Sequence, residues 1–445
     1  MTSKVKVNTV ETESGSTLTL GKSGDTVTLA SGASQSGFGR TGTVDWQTGS
    51  IKTSGFTAVS GEGYFCNTTS SAFTATLPAT PSAGDIVAFK DYAQTFGTNA
   101  LTVGRNGSNI EGAASDASLD ANAESATFVY VDSTKGWVLV NEATTVYGPA
   151  YIVATGGTVT TCGDFKIHTF TGPGSFVVCS AGNPAGSDKV SYVVVAGGGG
   201  GSGDGGGGGG AGGFREGKCT SDPYSDSPLD AGAGLLVSAQ TYPITVGSGG
   251  TGGPSSLPHE GTPGGNSVFS TITSTGGGRG GTGGAGCGAG QPGGSGGGGG
   301  RATPQAGGTG NTPSVNPAQG TNGSPGGPPN GGDGAGGAGG ATVAGSANAS
   351  PANSGGPGGA GATTSITGSA VAYAGGGGGG TTPAPTGNGG AGGTGGGGAG
   401  AGLPAAAVAG TTNTGGGGGG SSGGPVNLVG AAGGSGIVII RYKFQ

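Results

Sequence analysis

The feature that most constrains this chain is a glycine-rich tract, residues 196–435, that begins and ends in strand-like sequence. It leaves the apolar run Ser-Tyr-Val-Val-Val-Ala at 191–196 and closes into Gly-Ile-Val-Ile-Ile-Arg-Tyr-Lys-Phe at 436–444. A flexible linker has no reason to return to so apolar a strand, so the tract reads as an insertion held within one β-domain. Small residues punctuate the glycine three apart, as at Ala335, Ala338 and Ala341, or Ala391 and Thr394. A period of three belongs to neither helix nor strand; it fits the polyproline II conformation, in which no backbone group bonds within its own segment. Neighbouring glycine helices could then bond laterally, with each third side chain turned outward. Ordering glycine costs roughly 1–2 kcal/mol per residue, against about 0.5–1.5 kcal/mol net for each hydrogen bond. Such a stack therefore depends on the strands at its root.

Composition divides the chain. It has 118 glycines in 445 residues and only 9% charged residues, and most of the apolar side chains precede residue 200. Only that half can bury a conventional core. The net charge of -6 gives no basic field for nucleic acid. The polar start, Met-Thr-Ser-Lys-Val-Lys, carries no signal or membrane-inserting run. Cys66, Cys162, Cys179, Cys219 and Cys287 lack metal spacing and suit synthesis in a reducing compartment.

In chain order, residues 1–54 are Thr/Ser/Gly-rich, and the Leu18/Leu20 pair recurs as Val27/Leu29. Strands with so few inward side chains cannot stand alone, which suggests a fibrous shaft of several intertwined chains, a homotrimer. Residues 55–145 read as a β-sandwich or jelly roll, with strands near 63–66, 73–77, 86–89, 101–103, 126–131 and 137–140. Tyr64, Phe89 and Trp137 there are read as core rather than as a sugar platform. Residues 146–445 form the third domain. Strands near 151–154, 165–170, 175–179, 192–195, 213–216, 242–246, 267–273 and 437–444 make a second sandwich at the root of the tract, inserted at about 196–435. The predicted fold class is all-β throughout.

The stretches Thr-Gly-Pro-Gly-Ser-Phe-Val-Val at 171–178, Tyr-Val-Val-Val-Ala-Gly-Gly-Gly-Gly at 192–200, Ile-Thr-Val-Gly-Ser-Gly-Gly at 244–250 and Gly-Ile-Val-Ile-Ile-Arg-Tyr at 436–442 resemble the glycine-rich domain of phage tail fibres. Residues 61–65, 81–87, Asp91, 103–110 and 135–137 are similar to a module of marine tailed-phage fibres. The tract is similar in style to the polyglycine tip adhesins of T-even-like phages, which are separate chains, whereas shaft-like and tip-like parts share one chain here. The resemblance implies a virion protein assembled in the host cytoplasm. Its N-terminus would meet other tail proteins, and loops between glycine helices would touch a host polysaccharide or outer-membrane protein. No receptor residue carries over, since the loops do not align.

Between Gly261 and Ile440 the only charged residues are Arg279, Arg301 and Asp333, with no histidine. A glycosidase needs two carboxylates and a triad needs a base, so no enzyme, cofactor or metal is expected. The runs at 197–201 and 205–210 lack the Gly-Lys-Ser/Thr of a phosphate loop. Strict Gly-X-Y with abundant proline is missing, which excludes collagen. Recognition falls to the interruptions at 219–240, 253–263, 301–319, 341–353, 363–374, 381–386 and 403–414. Tyr373, the only aromatic between Phe269 and Tyr442, is the foremost candidate, read either as an exposed contact or as the cap of a helix stack. Tyr224, His259 and Arg301 follow. The alternatives are a stiff structural spacer without receptor contact and an ice-binding glycine-helix protein. The second needs one flat Thr or Ala face, which these irregular interruptions do not provide.

Overall fold

The computed structural model describes residues 44–140, 150–184, 186–283, 288–301, 305–327, 334–347, 353–382, 387–424 and 429–445. The repeat at 15–30, most of the 1–54 segment and Cys287 lie outside them. The described residues are all-β, without a helix. The chain divides into two compact units, Met1–Ala143 and Thr144–Gln445.

In the first unit β1 (Asp45–Trp46), β2 (Phe56–Thr57), β3 (Glu62–Cys66), β4 (Phe73–Thr76), β5 (Ile86–Asp91) and β6 (Leu101–Gly104) alternate between two sheets. The chain then adds β7 (Ala117–Leu119), β8 (Ser125–Asp132) and β9 (Gly136–Leu139). The odd strands β1, β3 and β5 pair in parallel, as do β2, β4 and β6. The sandwich or jelly roll expected from sequence left strand direction open, and the structure supplies it: the chain crosses to the opposite sheet after each short strand and returns one rung on. Period-two alternation shows which side chains face inward but says nothing of strand direction, so this coil was invisible in sequence. The coil stacks like on like. Tyr64 lies in register with Phe89, and Phe73 with Leu101. Phe56 bridges the sheets, its ring 4.8 Å from Tyr64 and 6.5 Å from Phe89. Tyr64, Phe89 and Trp137 are all buried, so they are core. The β8–β9 turn is closed by Asp132, which accepts the Thr134 and Lys135 N–H groups, and Gly136 follows at φ 69°. Buried Asp91 accepts N–H groups from Thr95, Phe96 and Ala123, tying two loops together.

The second unit holds β10 (Val153–Thr155), β11 (Thr158–Cys162), β12 (Phe165–Phe170), β13 (Gly174–Ser180), β14 (Lys189–Val195), β15 (Phe214–Gly217), β16 (Leu235–Leu236), β17 (Thr241–Thr245), β18 (Ser267–Phe269), β19 (Ile272–Ser274), β20 (Ala362–Thr364), β21 (Val371–Tyr373) and β22 (Ile437–Lys443). One sheet runs β10-β13-β17-β18-β19 and the other β11-β12-β22-β14-β15, with β16 beside β14. The single strand expected at 267–273 is the hairpin β18–β19, because Ser270 turns the chain at φ 53°. Strands β14 and β22, which bracket the tract, are hydrogen-bonded to each other. Tyr192, Val194, Val438, Ile440 and Tyr442 point into the sandwich, against Phe176, Tyr242 and Phe269. The alternate residues Val193, Val195, Ile437 and Ile439 pack on the other face with Ala211, Phe214, Ile366 and Tyr373. Burial on both faces explains why these two strands are unbroken apolar runs.

Between them the glycine segments bond sideways with a period of three. Along residues 196–203, the Gly197, Gly200 and Gly203 N–H groups donate to Gly265, Thr262 and His259. Those of Gly198 and Gly201 donate to Gly434 and Ala431, and those of Gly199 and Ser202 to Gly210 and Gly207. In the intervening directions a Cβ would strike a carbonyl: Ser248 at Gly197, Gly416 at Gly198, Gly278 at Gly199. Residues 196–203 are thus surrounded by six backbone neighbours and buried, with no room for a Cβ at these glycines. The outward-facing third side chain holds for Ala391 and Thr394, which are exposed. It fails for Ala335, Ala338 and Ala341. Their segment lies inside the stack, bonded to Gly380, Gly377 and Ala374, and all three are buried.

Candidate functional site: the free end of the glycine stack

Hydrogen-bond direction assigns each turn to one end of the stack. Residues 196–203 leave the end of β14, and 205–213 return antiparallel to enter β15. Residues 250–253 run parallel to 196–203 (Gly250 to Gly198, Gly253 to Gly201), as do 277–280 (to Gly197 and Gly200) and 418–421 (to Gly199 and Ser202). The turns at 203–206, 254–259 and 402–405 therefore lie at the end remote from the sandwich, as do the chain exits after 283 and 301. The turns at 311–319, 362–373 and 411–415 lie at the sandwich end, the root.

The four candidate residues divide accordingly. Tyr373 belongs to the root. It ends β21 in the β20–β21 hairpin, which covers the outer face of β14 and β22, and it is only 4% exposed. Burial pushes its hydroxyl up to about 12. The exposed-contact reading of Tyr373 is corrected: the sheet itself supplies the apolar surface that the surrounding Ala/Gly sequence lacked, so the tyrosine has a core to join.

Tyr224 is also buried at the root and is corrected likewise. It sits in a polar cluster that sequence reasoning missed. Arg441 on β22 donates through Nε to Asp222 at 2.9 Å and through Nη1 to the Ile366 carbonyl, between the rings of Phe165 and Tyr224. Asp222 also accepts the Ser191 hydroxyl. Glu216 accepts the Ser227 N–H and the Thr364 hydroxyl. Burial raises the Asp222 and Glu216 carboxyl pKa values, opposed at Asp222 by the arginine charge. Burial, with Glu216 beside it, pushes the Tyr224 hydroxyl up. Every partner is an internal group, and the cluster pins the 218–230 loop and the β20–β21 hairpin to the sheet. The one available signal was Arg441 itself, a charge inside an apolar strand.

His259 and Arg301 both lie at the free end, each against the 203–205 turn. His259, half-buried, turns the chain at φ 57° and accepts the Gly203 N–H through its carbonyl. Arg301 donates to the Asp204 carboxylate at 2.9 Å, and its backbone N–H bonds to the Gly205 carbonyl. A Cβ at Gly205 or Gly423 would overlap the arginine side chain, which lies flat across the turn. Arg279 pairs with Glu260 at 2.6 Å nearby. Arg279 and Arg301 are thus both paired with carboxylates, and Leu257, 77% exposed, projects from the 254–259 turn. No group of three metal-ligating side chains occurs among the described residues, and no helix there is long and apolar enough to cross a membrane.

A family model described as "Glycine-rich domain" matches residues 170–443, spanning the whole stack and the root strands from β13 to β22. No curated protein matches the chain.

Proposed function

Starting from the premise that the chain belongs to this glycine-rich domain family, we propose that it is a phage tail-fibre adhesin whose stack holds receptor-contacting turns clear of the sandwich. The glycine segments are read as polyglycine II helices, whose three-residue period accounts for the lateral bonding. Residues 1–54 are read as the virion-attaching shaft that joins three copies, and the host partner as a surface polysaccharide or outer-membrane protein. The observation that carries the reading is the split between the two ends. Tyr373 and Tyr224, at the root, are spent on packing, whereas the turns at the free end leave side chains such as Leu257 in solvent. A stiff rod that exposes irregular turns at one end loses little entropy on binding.

The test is attachment of the purified full chain to host cells. Wild type is compared with a Leu257→Asp variant and with a Val343→Asp variant, another exposed substitution in the tract. A drop of about tenfold or more, confined to the first variant, supports the adhesin. Equal attachment by a chain whose residues 197–435 are replaced by a short linker reduces the stack to a spacer.

A further inference from the structure

The polar cluster at the root borders a cavity that the adhesion reading does not use. About 260 Å³ in volume, it opens where three elements converge on Arg441. These are the end of β11 with Cys162, the 218–230 loop with Pro223, Tyr224 and Ser225, and the β20–β21 turn with Ser365. Arg441 is only 3% exposed, with Nε on Asp222 and Nη1 on the Ile366 carbonyl. Its Nη2 makes no hydrogen bond among the described residues, although Arg441 lines the cavity. Buried donors are seldom left unpaired, and an arginine that only pins a loop gains nothing from N–H groups unused beside an opening.

We propose that this cavity binds a neutral hydroxylated ligand the size of a single sugar ring. The N–H groups left on Arg441 need an acceptor oxygen, which excludes a cation. An anion is disfavoured by the neighbours. Asp222 already balances the guanidinium charge, and Glu216 adds a second buried carboxyl to the same cluster. Lys218, the other cation beside the Tyr224 ring, is paired with Asp226. A neutral oxygen remains. The lining sets the Ser225 and Ser365 hydroxyls beside Pro223 and the Tyr224 side chain, a mixture that matches the O–H and C–H groups of a sugar. The volume falls just under the roughly 300–1,000 Å³ of sites for drug-sized ligands, so it suits one ring rather than a chain of them. The free-end turns are no part of this site, which stands or falls without them.

Half-buried Cys162 in the lining serves as a reporter, and exposed Cys179 as an internal control. The full chain is alkylated with iodoacetamide and its peptides weighed, with and without the methyl glycosides of glucose, galactose, mannose and N-acetylglucosamine. At least one glycoside should slow alkylation of Cys162 by about threefold, the factor 1 + [L]/Kd at twice its Kd, and leave Cys179 unchanged. Ser225→Trp fills the cavity from an exposed position and keeps both backbone bonds to Ser365, so it should abolish the sugar dependence. Failure of all four glycosides to protect Cys162 overturns the proposal, and so does protection that persists in Ser225→Trp. Stronger protection by glucuronate than by the methyl glucoside would make the ligand an anion and overturn it equally.

Discussion

The root sandwich and the glycine stack belong to one unit and exclude water by opposite means. The sandwich does it with side chains: Phe176, Tyr192, Tyr242, Phe269 and Tyr442 fill the gap between two sheets. The stack does it with their absence. Around residues 196–203 backbone meets backbone in six directions, so the packing limit is the missing Cβ itself. One region should therefore fail when atoms are removed, the other when they are added.

The largest expected effect is in the sandwich. Phe176→Ala empties a fully buried site between Tyr242, Phe269 and Tyr442, and should cost about 3–5 kcal/mol in a denaturant titration. A loss below about 1 kcal/mol would mean that the stack, not the sandwich, holds the unit together. The converse substitution is Gly200→Ala, a single added methyl. Its Cβ would strike the Thr251 carbonyl and push apart segments bonded at Thr262 and Gly253, for about 1–3 kcal/mol. Limited proteolysis should show the stack opening before the sandwich; tolerance of the methyl would break the backbone-core account.

A smaller effect follows from pH. His168 is buried, with Nδ1 at 2.7 Å from the Gly156 carbonyl and Nε2 at 3.1 Å from the Tyr442 hydroxyl, and desolvation lowers its pKa from 6.5. A base with a depressed folded pKa leaves the unfolded chain binding more protons below about 6.5, so stability falls on acidification through that value. Thermal melts of wild type should lose stability between pH 7 and 5, and His168→Gln should lose less. The smallest effect sharpens the comparison within the stack. Ala391→Ser, on an exposed outer row, should change stability by no more than about 0.5 kcal/mol, while the same kind of added atom at Gly200 does not pass.

Much of this was legible in the sequence. The unbroken runs at 191–196 and 436–444 declared the two strands that bracket the tract, and the three-residue spacing declared lateral packing. Tyr64, Phe89 and Trp137 were readable as core because few other large residues compete for that role. Tyr373 and Tyr224 were misjudged because their apolar neighbours come from β14, β15 and β22, far away in the chain. The Arg441–Asp222 pair joins residues 219 positions apart, a separation no local pattern records.

Sequence by itself determined that the chain is all-β, that its glycine tract is an insertion between paired strands, and that only Arg279, Arg301 and Asp333 carry charge between Gly261 and Ile440. These follow from composition and periodicity, which act residue by residue. Tertiary structure alone decided the parallel coil of the first unit, the burial of both tyrosines, and which turns occupy the free end. Strand direction and end assignment depend on which distant N–H meets which carbonyl. With glycine on at least one side of most of these bonds, few side chains are left in the sequence to say which pairing is made.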